Sequence, residues 1–303
     1  MKTEKNRAES IRHRLRNLLR ERREDIQFGL QRYAIERFLY RLGVSPHRET
    51  FILKGAALFA VWGGSIYRPT RDLDFTGYCG PDEEEVLSAI RDICVVPNMP
   101  DEVLFDPDTL SASPIRNDSQ YQGLRIHLRA TLGESQIPIQ IDIGFGDAIE
   151  PSAQDVDYPT LLNDPSPRVR VYPQEAVLAE KLHTMIIQGE RNSRYKDFYD
   201  MYTLTRQFEF KGEVLAKAIT ATFERRQTEI SDFKPSAFET WFYADPVRAQ
   251  QWRAYLITNN LSGPPEDFHI VGKSIIGFLM PVWTALVVKQ FFHGTWPQGG
   301  PWR

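Results

Sequence analysis

Residues Phe51 to Thr76 read FILKGAALFAVWGGSIYRPTRDLDFT, and the rest of the chain is organised around this stretch. Phe51-Ile52-Leu53 has the length and apolar content of a short buried strand. Gly55 follows, Ala56 to Trp62 reads as a helix, and Gly63-Gly64 ends it. Glycine at a strand-to-helix turn lets a phosphate approach the backbone, and a helix N-terminus favours anions. After Arg68, Pro69 and Thr70 comes a second strand, Asp72-Leu73-Asp74-Phe75. Residues i and i+2 of a strand share a face, so Asp72 and Asp74 point the same way while Leu73 and Phe75 turn to the core. Two parallel carboxylates repel unless a cation lies between them. Mg²⁺ takes oxygen ligands of this kind, with substrate phosphates completing its shell. The pattern points to metal-dependent nucleotidyl transfer. The plainer readings are a tight turn at Gly55 and two exposed strand carboxylates. Apolar neighbours on both sides of the acids argue for a buried strand, where unpaired charge is costly.

Working outward, Leu124 to Leu132 and Ile137 to Ile143 alternate apolar and polar residues around Gly133-Glu134-Ser135, the pattern of a β-hairpin with one apolar face. Asp142 lies on its polar face. It is either a third carboxylate beside Asp72 and Asp74 or a solvent-facing acid near a strand end. Arg125 and Arg129 face phosphates or plain solvent; the residues leave both open. Residues 81–94 read as a helix with acids in its first turn. Residues 97–120 read as loop, apart from a short strand around Val103–Phe105. Upstream, residues 1–24 carry nine cations against four acids, with Ile11, Leu15, Leu18 and Leu19 at helical spacing. This is an amphipathic helix whose basic face is either a solvated surface or a contact to an RNA backbone. A second helix runs through Phe28 to Leu42 and stops near Gly43.

Residues 151–169 form a Pro/Ser/Asp-rich connector, which sets the expected domain division at 1–150 and 151–303. Beyond it, a helix opens at Pro173-Gln174-Glu175 with Val177, Leu178, Leu182, Met185 and Ile186 on one face and Lys181 at its edge. Lys181 is either a snorkelling surface residue or a point charge for a triphosphate. A second helix starts near Lys196-Asp197, where Asp197 suits the helix dipole. Residues 212–292 read as mainly helical, and the aromatic tail through Trp302 either packs across that domain or meets a partner.

The net charge of −3 excludes a global attraction to nucleic acid, so any basic surface is local. Two cysteines supply neither a disulfide framework nor a zinc spacing, which points to the reducing cytoplasm. The start has no apolar signal core, and no run is expected to reach the length of a membrane span.

LKGAALF, RPTRDLDF, IQIDIGFGD, EAVLAEKLHTMI and RYKDFYDMY, in that order, resemble the AbiEii/AbiGii-type nucleotidyltransferase toxins of abortive-infection toxin–antitoxin pairs, within the polymerase-β-like superfamily. The resemblance spans roughly residues 30 to 205. It implies an α+β fold: a polymerase-β-like nucleotidyltransferase core, with a small mixed sheet and helices, followed by a mainly helical C-terminal domain. It implies that Asp72 and Asp74 bind Mg²⁺ or Mn²⁺; Asp142, on the reading of the residues themselves, either completes the metal shell or takes the proton from the attacking hydroxyl. It further implies that Lys54, Gly55, Thr70, Lys181 and Lys196 meet the nucleotide, and that Asp72, Asp74, Lys181 and Asp197 serve catalysis. The chain departs from the family at Gly55-Ala56, where many members have Gly-Gly or Gly-Ser. The implied reaction transfers NMP from an NTP to RNA, the tRNA 3′ end, in the cytoplasm, under a cognate AbiEi-like antitoxin. The competing readings are a small-molecule nucleotidyltransferase of the aminoglycoside type and a non-catalytic nucleotide- or antitoxin-binding module.

Overall fold

The computed structural model describes residues 2–63, 70, 72–97, 99–115, 123–232, 234–261 and 263–303. Gly64, Arg68, Pro69 and Arg71, on the approach to the acidic strand, lie outside the described residues. The chain divides into two compact units. Unit 1 holds Met1–Gly63, Pro69–Gly146 and Gln154–Val171; unit 2 holds Gly64–Arg68, Asp147–Ala153 and Tyr172–Arg303. The expected division at 150/151 compares with a last crossing at Val171/Tyr172, because the connector supplies two short strands to the sheet of unit 1.

In chain order unit 1 contains α1 (Lys2–Arg22), α2 (Ile26–Val44), β1 (Phe51–Lys54), α3 (Leu58–Val61), β2 (Asp72–Gly77), α4 (Glu83–Cys94), β3 (Val103–Pro114), β4 (Gly123–Leu132), β5 (Ser135–Phe145), β6 (Gln154–Asp157) and β7 (Arg168–Val171). The seven strands form one mixed sheet ordered β3-β4-β5-β2-β1-β7-β6. β2 runs parallel to β5 and β1 parallel to β7; the other pairs are antiparallel. Alternation does what the sequence requires: Leu124, Ile126, Leu128, Ile139, Ile141, Ile143, Leu73 and Phe75 are buried on one face. α2 packs on β5 and β7, and α4 on β3. Both helices start on an aspartate: Asp25 accepts from the Phe28 N–H and Asp82 from the Glu85 N–H.

Two local expectations are corrected. The segment after Gly55 is a single 3₁₀ turn, Gly55–Ala57, followed by the four-residue α3, not one continuous helix from Ala56. β3 is a twelve-residue strand where loop was expected beyond Phe105. It is the sheet's edge, paired on one side only, and its register shifts between Asp106 and Ser111 around Pro107. Edge strands tolerate prolines and exposed polar residues, so the alternating signal is missing there. Its start is pinned by Arg41 of α2, which forks onto both Asp101 oxygens at 2.9 and 3.0 Å and onto the Val103 carbonyl, all buried.

α2 also buries Glu36, which accepts from Arg37 at 2.7 Å and from the Leu161 N–H at 2.7 Å. Burial pushes its carboxyl up to about 7, against the pull of Arg37 and the Leu161 amide. The sign follows: between 4.5 and about 7 the folded chain keeps a proton that the unfolded chain releases. Stability therefore falls as pH rises through that window, by about 3 kcal/mol at ~1.4 kcal/mol per unit. Chemical denaturation of wild type and Glu36→Gln from pH 4.5 to 7.5 should show this slope in the first and its loss in the second. Equal slopes would remove Glu36 from the linkage.

Unit 2 contains α5 (Gln174–Gln188), α6 (Tyr195–Gln207), β8 (Phe210–Lys211), α7 (Gly212–Arg225), α8 (Thr240–Ala244), α9 (Pro246–Thr258), α10 (Phe268–Val287) and β9 (Thr295–Trp296). α10 corrects the expectation that no run reaches membrane-span length: its 20 residues are long and apolar enough, by length and composition alone, to cross a membrane. Its apolar side is occupied within the unit: Phe278 meets Phe210, Trp296 and Trp302, and Trp283 meets Phe223 and Phe238. The C-terminal tail packs on this helix. Trp302 stacks on Phe278 at 5.3 Å and donates its indole N–H to the Phe278 carbonyl.

Candidate active site

The strand register assembles the first group of charged residues in unit 1. Lys54 pairs with Asp74, Asp74 with Asp142, and Asp142 with Arg125. Directly paired residues share a sheet face, so Lys54, Asp74, Asp142 and Arg125 form one row across four adjacent strands. Asp72 stands two residues along on the same face, in register with Gln140 and His127. Leu73 and Phe75 occupy the opposite, buried face.

Gly55 is tied to this row by shape. Its φ is +72°, and a Cβ built there would lie 2.0 Å from Asp74 Oδ2. The turn therefore needs glycine twice over: for the left-handed backbone and because the Asp74 carboxylate lies against its Cα. Gly55→Ala should lower stability by about 1–3 kcal/mol and displace the Asp74 carboxylate. Thermal denaturation together with nucleotide binding would check this; unchanged values for both would show that the turn tolerates a side chain. Thr70 donates its hydroxyl to the Asp72 carbonyl at 3.1 Å, fastening the entry of β2.

Asp142 accepts from both arms of Arg125, at 2.9 Å from Nε and 2.7 Å from Nη2, and Gln140 Nε2 lies 3.3 Å from it. This bidentate pair holds Arg125 more firmly in its charged form, Asp142 acting first through the hydrogen bonds and Asp72 and Asp74 adding their field. Arg125, which the sequence left open, is thus a partner of the acidic row. Among the described residues no group of three or more His, Cys, Asp or Glu side chains converges as a metal cluster. The donor chemistry of Asp72 and Asp74 nonetheless fits a hard cation: two oxygen-donor carboxylates on one strand face.

The second group belongs to unit 2. Lys181 of α5 donates from Nζ to Asp197 Oδ1 and Asp200 Oδ2, each at 2.8 Å. Arg194 Nε donates to the other Asp197 oxygen at 2.7 Å. Both aspartates are buried on α6. Burial alone would raise the Asp197 carboxyl; Lys181 and Arg194 outweigh it and hold the group well below the usual carboxylate range. Lys196, adjacent to Asp197, lies on the exposed side of α6. Asp200 is the residue that sequence reasoning missed. Its signal was present: it stands three positions after Asp197, among Phe198, Met201 and Leu204, and two acids on one buried helix face require a cation.

A third polar group belongs to the same unit. His183 of α5 takes a hydrogen bond at Nδ1 from Arg226 (3.2 Å) and pairs through Nε2 with the Thr228 hydroxyl (2.8 Å). Burial first, and Arg226 second, push its imidazole down to about 4. It is neutral at pH 7, with the proton on Nε2 directed at Thr228.

A mixed seven-stranded sheet bearing paired aspartates on β2, one strand away from a glycine turn, defines a candidate nucleotidyltransferase site. The sequence matches the family described as "Nucleotidyl transferase AbiEii toxin, Type IV TA system" over residues 37–272. The chain belongs to this family, and is a nucleotidyltransferase toxin of a type IV toxin–antitoxin system. NTP is accordingly its substrate, and an antitoxin its partner. The crystal structure of JHP933 from Helicobacter pylori is similar in fold, with TM-score 0.50 and 14% identity, over 88% of this chain and 98% of that one. A second H. pylori structure, provisionally described as a nucleotidyltransferase, aligns with TM-score 0.48 and 14% identity over 88% of this chain and 100% of its own. A search of curated protein sequences gave no match.

Proposed function

We propose that this toxin transfers a nucleoside monophosphate from an NTP to the 3′ end of tRNA, in the cytoplasm and with Mg²⁺. The observation that carries the reading is the row of Asp74 and Asp142 in register, with Asp72 on the same face. In the reaction the acceptor 3′ hydroxyl forms a bond to the α-phosphorus, the bond to the β-phosphate oxygen breaks, and pyrophosphate leaves. Asp72 and Asp74 would hold the metal ion, with Asp142 as third carboxylate. Mg²⁺ or Mn²⁺, when bound, neutralises charge on the phosphate oxygens. Gly55, lacking a Cβ, lets the Asp74 carboxylate lie against the turn, and Lys54 stands next to it. The Arg125 fork fixes the position of Asp142, which is assigned to accept the hydroxyl proton. Lys181 is assigned to offset charge on the triphosphate, with Asp197 and Asp200 keeping its ammonium in place. Lys196 and Thr70 complete the nucleotide assignment, Thr70 by fixing β2.

The test is incubation of the purified protein with each labelled NTP, Mg²⁺ and total RNA, followed by electrophoresis. Label in the tRNA band, lost on chelation, is expected. No label in any RNA with any of the four NTPs would sink the RNA acceptor. Label in an added aminoglycoside instead would reassign the substrate class.

A further inference from the structure

Several arginines of unit 1 have acidic partners among the described residues. Arg12 pairs with Glu9, Arg32 with Glu24, Arg37 with Glu36, Arg41 with Asp101, Arg125 with Asp142 and Arg170 with Glu49. The open face of α1 gathers arginines of the other kind in one place. Arg14, Arg16 and Arg20, followed by Arg22 and Arg23 at the helix end, are exposed and have no acidic partner among the described residues. Residues 1–24 carry a net charge of +5 within a chain of −3, so the remainder carries −8. This is a local positive surface on an acidic body.

The helix that presents it is fixed in unit 1. Ile11, Leu15 and Leu19 are buried, and Leu19 packs so closely on α2 that a Cβ at Gly29 would lie 2.2 Å from it. At the other end Arg12 and Ala8 approach Gly133 in the β4–β5 turn. The arginines therefore project from a fixed rod. With a rise of ~1.5 Å per residue, Arg16 and Arg20 stand about 6 Å apart along one side. α1 also lies before the family match, which begins at residue 37. The shared nucleotidyltransferase region does not account for it.

We propose that the exposed side of α1, bordered by Arg14 on one flank and by Arg16 and Arg20 on the other, is a docking surface for the phosphate backbone of the RNA acceptor. The inference rests on the RNA reading of the function and adds where on this chain the acceptor is held. Charge complementarity selects the occupant. Guanidinium forks match phosphate oxygens bidentately. The surface has no apolar centre of the kind a protein partner would bury: Leu15 and Leu19 are turned inward.

The experiment measures binding of a fluorescein-labelled tRNA to the full chain, without NTP, across a series of salt concentrations. The wild type is compared with Arg14→Gln/Arg16→Gln/Arg20→Gln. These positions are exposed, so an unchanged melting temperature and helical circular dichroism are expected. At ~0.1 M salt the triple variant should bind about tenfold or more weakly. The slope of log K against log salt should fall by about 2–3, at ~0.7–0.9 per lost phosphate contact. An unchanged affinity and slope would overturn the proposal, as would absence of tRNA binding by the wild type. Retained tRNA binding with lost binding to polyglutamate would assign the face to an acidic protein and also overturn it. The two readings fail separately. Label transfer to tRNA with no change in salt slope leaves the enzymatic reading standing and removes the docking surface. A changed slope with no label transfer to RNA does the reverse.

Discussion

Asp74→Asn should lower nucleotidyl transfer by ~10³-fold or more while leaving the melting temperature within a few degrees of wild type. The substitution keeps the size of the side chain and its capacity to hydrogen-bond. It removes one charge from a face where Asp72 and Asp142 already stand in the same field. Relief of carboxylate repulsion works against any loss of stability. A residue kept for stability would show the opposite split, with melting lowered and activity carried down only in proportion. Initial rates at saturating NTP, with thermal denaturation of the same preparation, would separate the two. Transfer within tenfold of wild type would remove Asp74 from the catalytic machinery. In cells, growth arrest on expression should disappear with the same substitution.

Lys181→Met should cost unit 2 about 3–5 kcal/mol, the range for breaking a buried ion pair from one side. Lys181 is the cation at 2.8 Å from both Asp197 and Asp200. Arg194 would still compensate Asp197, but Asp200, which is 1% exposed, would lose this partner. The double variant Lys181→Met/Asp200→Asn should therefore recover part of the stability, because the second change removes the carboxylate left behind. It should not recover transfer, since the ammonium assigned to the triphosphate is still missing. Chemical denaturation gives the first comparison and rates the second. A single variant as stable as wild type would show that Lys181 is not what holds the two aspartates in place.

How much of this was legible depends on the range over which each feature is set. The Asp72/Asp74 pair and the buried Leu73/Phe75 face could be read from a period of two. The strand containing Asp142 could be read from alternating isoleucines. β3 beyond Phe105 could not, because an edge strand with one neighbour needs no apolar alternation. The strands drawn from the connector could not, because four residues, Gln154–Asp157 or Arg168–Val171, carry too short a pattern. At Gly55 the backbone requirement was visible as a turn, but the steric one was not, since it depends on where a carboxylate nineteen positions away comes to rest.

The sequence by itself determined on which face of its own strand or helix each charged residue would stand, because that is a consequence of local periodicity. Only the tertiary structure decided which charge meets which. Arg125 forks onto Asp142 because β4 and β5 pair in one register. Lys181 meets Asp200 as well as Asp197 because α5 and α6 pack with those side chains facing one another. Arg14, Arg16 and Arg20 of α1 have no acidic partner among the described residues, which the helix pattern alone could not tell. Register and packing follow from burying the whole apolar surface at once, and no local window of sequence contains that sum.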